Sequence, residues 1–270
     1  MTRIALVVSD VDGTLLTKDK ILTERAAKAA RQLHEAGIAF TLTSSRPAIG
    51  MRFLIEPLQI ILPVGPFNGS SIIDADMRPL EQSLIPTSAA GRCLALLDQY
   101  GVDIWLFTSD AWLTRNPNGD YVPNERRAIR AEPTIIDDFS PYLSNACKIV
   151  GSSNDFDLLA RCERDMQAAL GAEATAVRSQ SYYLDITPPG RNKGTFVAAI
   201  ADRLGIPLQQ VATIGDMLND VAMFEVSGLS IAMGNASDEV KSHAKRVTTS
   251  NLDEGFANAM EMILAENAQG

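Results

Sequence analysis

Five consecutive aliphatic residues, Ile4-Ala5-Leu6-Val7-Val8, run directly into Ser9 and the carboxylates Asp10 and Asp12. An apolar run with no polar alternation marks a strand buried on both faces, the habit of parallel sheets sandwiched between helices. The next residues supply what such a sheet requires. Thr23 offers an N-cap for a helix through Glu35, Gly37 suits the position just past its end, and Ile38 to Thr43 reads as a second strand. Strand, helix and strand within about forty residues form a βαβ unit.

The same rhythm returns late in the chain. Lys193 to Leu204 reads as a helix, Val211 to Ile214 as a strand, Leu218 to Phe224 as a helix, Leu229 to Ile231 as a strand and Leu252 to Leu264 as a closing helix. Between the two α/β ends the pattern differs. Pro63 to Leu80 reads as short extended pieces with turn chemistry at Asn68-Gly69, and from Thr87 to Asp185 helices and strands alternate with longer irregular joins. The expected fold class is α/β, a Rossmann-like parallel-sheet core in two pieces, 1–83 and 189–270, interrupted by an inserted α/β domain at 84–188.

With 270 residues, 46% of them hydrophobic, the chain can bury a substantial core without disulfides or structural metal. Cys93, Cys147 and Cys162 are odd in number and show no CxxC spacing, which argues against a disulfide framework or a zinc site. The formal net charge is −9, the wrong sign for neutralising a phosphate backbone or an anionic membrane surface. Neither nucleic acid nor membrane is expected as a partner. No apolar run approaches the ~18 residues of a membrane span, and the first dozen residues match no signal or transit peptide, so the expected location is cytoplasmic.

Four short segments can carry chemistry. Asp10-Val11-Asp12-Gly13-Thr14 lies just past the first strand, where open α/β sheets place their ligand sites. Gly215-Asp216-Met217-Leu218-Asn219-Asp220 follows another expected strand, so its carboxylates share that sheet edge. Like charges about 4 Å apart repel by roughly 4 kcal/mol at an effective dielectric near 20, so the cluster calls for a cation, and all-oxygen ligands suit Mg²⁺. Asp216 would also suit the N-cap of the helix Leu218 to Phe224, a place compatible with holding a metal, and the metal is the favoured reading. Thr43-Ser44-Ser45-Arg46 ends the second strand with hydroxyls and a guanidinium able to hold phosphate oxygens, and Asn192-Lys193-Gly194 opens a helix that returns Lys193 to the sheet edge.

In this order, DxDGT, hydroxyl with Arg, Lys-Gly and GDxxND, the chain resembles the haloacid dehalogenase-like phosphatases, in particular the Cof-type branch with a type IIB cap. Phe67-Asn68-Gly69-Ser70 and Ile231-Ala232-Met233-Gly234-Asn235-Ala236 match further signatures, as do Val240-Lys241, Ala244 and Thr249-Ser250-Asn251 to Gly255. The match spans the core on both sides of the insertion and is weak from Thr87 to Asp185. One departure stands out. Ser44-Ser45-Arg46 replaces the usual Thr-Gly-Arg, which leaves open whether Ser44 or Ser45 meets phosphate.

The resemblance implies a Mg²⁺-dependent phosphatase for a small phosphorylated metabolite, such as a sugar phosphate. Asp10 is then the nucleophile that forms an aspartyl-phosphate, and Asp12 the acid and base that serves leaving alcohol and water. Mg²⁺ would be held by the Asp10 side chain, the Asp12 carbonyl and Asp216, with Asp220 orienting from outside. Lys193 would pair with Asp10 and phosphate, Ser44 and Asn219 would donate to phosphoryl oxygens, and Arg46 would reach phosphate or leaving group. The inserted domain would select the leaving group, with Trp105, Trp112, Arg115, Asn116 and Tyr182 as candidates, each weighed against an ordinary place in that domain's core or on its surface. Two other readings remain: a phosphotransferase or phosphomutase using the same intermediate, and a non-catalytic phosphometabolite binder. The motifs leave the oligomeric state open.

Overall fold

Strand Leu6–Ser9 is fully buried and pairs in parallel with Ala39–Leu42 on one side and Val211–Gly215 on the other. The computed structural model describes residues 3–269. Leu229–Ala232 and Arg246–Val247 extend the sheet beyond Val211–Gly215, all in parallel. The chain therefore winds one way from Leu6–Ser9 and the other way from Val211–Gly215, and the topological switch point lies between these two strands. That is where ligand crevices form in open α/β sheets.

Helices on both faces account for the unbroken apolar run of the first strand. Leu6 and Val8 pack with Phe196, Val197 and Ile200 of helix Lys193–Leu204 and with Met223 and Phe224. On the opposite face Glu24–Glu35 packs along Gly255–Ala268, and Phe40 meets Phe256 at 5.8 Å between ring centroids. Local chemistry sets the helix ends: Thr23 accepts from the Ala26 amide, while Asn192 and Thr195 form a reciprocal capping box. The closing helix starts at Gly255, later than its apolar spacing suggests, because the chain up to Glu254 is taken up by a turn ending in a left-handed residue (φ 57°).

These elements form one compact unit, made of the chain up to Ser45, Arg52–Leu80 and the chain from Asn192 onward. The second unit comprises Glu81–Arg191 and takes in Arg46–Met51 as well. Its six-stranded sheet runs Thr134–Ile135, Trp112–Thr114, Asp103–Phe107, Lys148–Ser152, Tyr183–Thr187 and Thr175–Gln180, antiparallel except for the first pair. Helices Thr87–Tyr100 and Phe156–Leu170 cover one face through Cys93, Leu97, Leu159, Cys162 and Met166. The three cysteines are buried and outside any disulfide, and burial pushes the Cys93 thiol up to about 12 and that of Cys162 to about 11, so Cys93 and Cys162 are unreactive apolar filler. Among the described residues no helix is long and apolar enough to cross a membrane.

Candidate active site

The switch point brings three carboxylates and one ammonium together inside the first unit. Asp10 follows the first strand directly, its amide bonded to the Ile214 carbonyl at 2.9 Å, so that it lies level with the end of the neighbouring strand. Asp216 and Asp220 follow that neighbouring strand, and one carboxylate oxygen from each of Asp10, Asp216 and Asp220 lies within 4.8 Å of the others. Lys193, at the first turn of its helix, is 1% exposed and places Nζ 2.5 Å from Asp10 Oδ1 and 2.5 Å from Asp220 Oδ1.

Each carboxylate is held differently. Asp220 is fully buried, and its second oxygen accepts from the amides of Asp216 and Met217 at 2.8 and 2.9 Å. The helix expected from Leu218 is instead a 3₁₀ turn at Leu218–Asp220 followed by helix Val221–Val226, and Met217 rather than Asp216 stands at the N-cap of that turn. Asp216 accepts from Thr14 Oγ1 at 3.1 Å on one oxygen and from Asn235 Nδ2 at 3.1 Å on the other. Gly13, at φ +83°, makes room for it: a Cβ there would stand 2.3 Å from Asp216 Oδ2.

Three negative groups share one positive group in a dry place. Burial, followed by the repulsion of Asp220, pushes Asp216 from 3.8 to about 7. Burial also raises Asp10 well above the carboxylate range; Lys193 opposes this, and Asp220 and Asp216 add to it. Burial disfavours the Lys193 charge, but the attraction of Asp10 and Asp220 outweighs it and raises its pKa. The surplus of negative charge and the exclusively oxygen donor set fit a hard divalent cation such as Mg²⁺. Asp10 and Asp216 are the side chains suited to hold it. Asp220, with Lys193 on one oxygen and two amides on the other, is suited to orient its neighbours instead.

Two further expected residues meet through an intermediary. Ser44 is fully buried, and its carbonyl accepts from the Asn68 amide at 2.7 Å, while Asn219 Nδ2 donates to Asn68 Oδ1 at 2.9 Å. Asn68 lies in a run of three left-handed residues, Phe67, Asn68 and Gly69, at φ 53°, 58° and 79°. Strain of this kind is retained where surrounding structure demands it, and here it delivers one side chain to Asn219 beside Ser44. The Asn-Gly pair signalled the turn; its link to Asn219 had no sequence signal.

Asp12 is one-quarter exposed, and its Oδ1 lies 2.7 Å from the ammonium of Lys20, a residue that the motif reading passes over. Arg46 is buried and belongs to the second unit, where its Nη1 donates to the carbonyls of Gly50 and Ala128. Within that unit Trp105 and Trp112 are each 1% exposed and meet edge to face, Arg115 pairs with Asp98, and Asn116 donates to Asp103 at 2.7 Å. Tyr182 stacks on Tyr121 at 4.3 Å. The indole Nε1 atoms of Trp105 and Trp112 are buried without a hydrogen-bond partner.

A family model described as haloacid dehalogenase-like hydrolase matches residues 7–260. The chain belongs to the haloacid dehalogenase-like hydrolases. It is 27% identical over 258 residues to the 5-amino-6-(5-phospho-D-ribitylamino)uracil phosphatase of Bacillus subtilis, covering 95% of this chain and 94% of that one. A haloacid dehalogenase-like hydrolase from Bacteroides thetaiotaomicron superposes with a TM-score of 0.89 at 26% identity, over 97% of this chain and 100% of that one. A subclass IIB sugar phosphatase shares the fold, with a TM-score of 0.83 at 19% identity over 95% and 98% of the two chains. The resemblance carried by the four motifs holds for family and fold, and in this haloacid dehalogenase-like hydrolase the DxD and GDxxND segments flank the switch point of the sheet.

Proposed function

We propose that this hydrolase is a Mg²⁺-dependent phosphatase of small phosphomonoesters, sugar phosphates or related metabolites, acting through an aspartyl-phosphate on Asp10. The observation that carries the reading is the Lys193 ammonium 2.5 Å from Asp10 Oδ1 in a buried cluster with Asp216 and Asp220. A fully buried lysine on a carboxylate is costly as a stabilising device, whereas it suits a nucleophile that must face a phosphate dianion.

Lys193 holds one Asp10 oxygen and offers its charge to the incoming phosphoryl group. The other Asp10 oxygen attacks phosphorus as the bond to the leaving oxygen breaks; that oxygen keeps the electron pair and takes a proton from Asp12. A water then attacks phosphorus, gives its proton to Asp12, and releases inorganic phosphate and Asp10. Ser44 and Asn219 donate to phosphoryl oxygens, with Asn68 keeping Asn219 in place. Asp10, the Asp12 carbonyl and Asp216 would hold Mg²⁺, which would supply charge neutralisation between nucleophile and substrate. Arg46 is assigned to the phosphate or leaving-group side through the segment it braces, and residues 84–188 act as the cap that selects the leaving group.

The test is a panel of sugar phosphates, nucleotides and p-nitrophenyl phosphate incubated with Mg²⁺. Release of inorganic phosphate from one or more, without a bisphosphate activator, supports the reading. Transfer of phosphate to a second sugar hydroxyl would make the protein a phosphotransferase, and binding without turnover would make it a sensor.

A further inference from the structure

The loop after the nucleophile is folded back on itself more tightly than a connection to the first helix requires. Asp12 bridges to Leu16 and Leu16 to Leu22, Thr17 accepts from the Lys20 amide at 3.0 Å, and the Thr17 amide donates to the Ile21 carbonyl at 3.0 Å. The Ile21 amide adds a bond to Thr17 Oγ1 at 3.2 Å. Leu15 and Leu16 anchor the base in the core, and Asn251 Nδ2 donates to the Leu16 carbonyl at 3.0 Å from the far end of the chain. At the tip Lys20 adopts a left-handed backbone (φ 62°), a conformation that glycine or asparagine takes at lower cost. The turn sends the lysine back toward the strand end, with Nζ 2.7 Å from Asp12 Oδ1.

Stability does not explain this choice. The two side chains are 35% and 25% exposed, and ion pairs with that much water around them contribute little. The pair does fix the position of a carboxyl group whose hydrogen-bonding geometry decides whether it reaches a reacting oxygen.

We propose that Lys20 is a positioning residue for Asp12: with Oδ1 accepting from the Lys20 ammonium, Asp12 is turned so that the proton given to the leaving oxygen travels from Oδ2. The inference rests on the acid role given to Asp12 above. In the first half-reaction the Asp10–phosphorus bond forms, the bond from phosphorus to the leaving oxygen breaks, and the electron pair left on that oxygen takes the proton from Asp12 Oδ2. Hydrolysis of the aspartyl-phosphate then returns a proton from water to Asp12, so the cycle closes without another reactant.

The test compares kcat/KM, which reports events up to departure of the alcohol, for an alkyl phosphate such as a hexose phosphate and for p-nitrophenyl phosphate. An alkoxide needs its proton in order to leave, whereas p-nitrophenolate departs without one. K20M is expected to lose about 10- to 100-fold on the alkyl phosphate and less than about threefold on p-nitrophenyl phosphate. K20R, which keeps a donor, should retain most of the alkyl activity, and the melting temperatures of both variants should match that of the wild type. An equal loss on both substrates, or no loss on either, would overturn the role of Lys20 while leaving the phosphatase reading intact. A wild-type protein that hydrolyses neither substrate removes the reading itself, and this inference with it.

Discussion

Lys193 Nζ sits 2.5 Å from Asp220 Oδ1, and both side chains are essentially sealed from water. That contact joins the start of a helix to the turn after a strand, and the same ammonium reaches Asp10. Gly194 permits the approach, since a Cβ there would meet the Ala222 carbonyl oxygen at 2.2 Å. One cation therefore organises the two carboxylates that most need separating, and its loss has consequences for both stability and chemistry.

Lys193→Met removes the only cation bonded to Asp10 and Asp220 among the described contacts. Deleting one member of a buried pair costs about 3–5 kcal/mol, which denaturant unfolding in EDTA will register. Phosphatase activity is expected to fall by at least about 100-fold. Added Mg²⁺ should recover part of the stability and little of the activity.

Asp216 and Asp10, both raised by burial, make stability fall as pH rises. The Asp216 carboxyl is raised from 3.8 to about 7, by burial first and by Asp220 next, so the native state binds a proton that the unfolded state has released. That contribution is complete below about pH 4 and is lost as pH rises through about 7. In EDTA the melting temperature should therefore decline from about pH 5 to about pH 8, and Asp216→Asn should lessen the decline. Mg²⁺ should raise the melting temperature more at the upper end of that range, where it meets an ionised cluster. A pH-independent melting temperature in EDTA would remove the electrostatic picture of the site.

Gly13→Ala places a methyl group 2.3 Å from Asp216 Oδ2 on a backbone at φ +83°. The left-handed backbone costs about 1–2 kcal/mol, and displacement of Asp216 adds a functional loss. A Mg²⁺ titration of activity should show weaker metal dependence, with a lower maximum even at saturating metal.

Asn68 separates backbone strain from side-chain function. Asn68→Gly keeps the left-handed turn at low cost and should remain within about 1 kcal/mol of wild-type stability. It loses the acceptor for Asn219, so kcat/KM should fall about tenfold or more. Asn68→Ala should lose both, as urea unfolding and steady-state kinetics will show.

Much of the core could be read from the chain because its signals are local. The apolar run before Asp10, the Thr23 cap and the helix start at Asn192-Lys193 each act within a few residues and fall where the elements begin or end. What escaped leaves no periodicity or motif in the chain. The helix expected from Leu218 starts as a 3₁₀ turn because Asp220 folds back onto the Asp216 and Met217 amides. Thr175–Gln180 carries no strand signal because it is an edge strand with mostly exposed side chains and little apolar alternation. Lys20 gains its place from left-handed backbone that its sequence does not announce, and the bonds from Asn219 to Asn68 and from Arg46 to the Ala128 carbonyl span 151 and 82 residues, which no motif spacing encodes.

The central claim is that Asp10 carries the phosphoryl group. Rapid acid quenching of the enzyme during turnover with Mg²⁺, followed by peptide mass spectrometry, tests it directly. With p-nitrophenyl phosphate, whose leaving group needs no proton, the expected result is a phosphoryl group on Asp10 that accumulates further in Asp12→Asn and is absent in Asp10→Asn, which is folded and inactive. A phosphoryl group on another residue, or full turnover by Asp10→Asn, would contradict it.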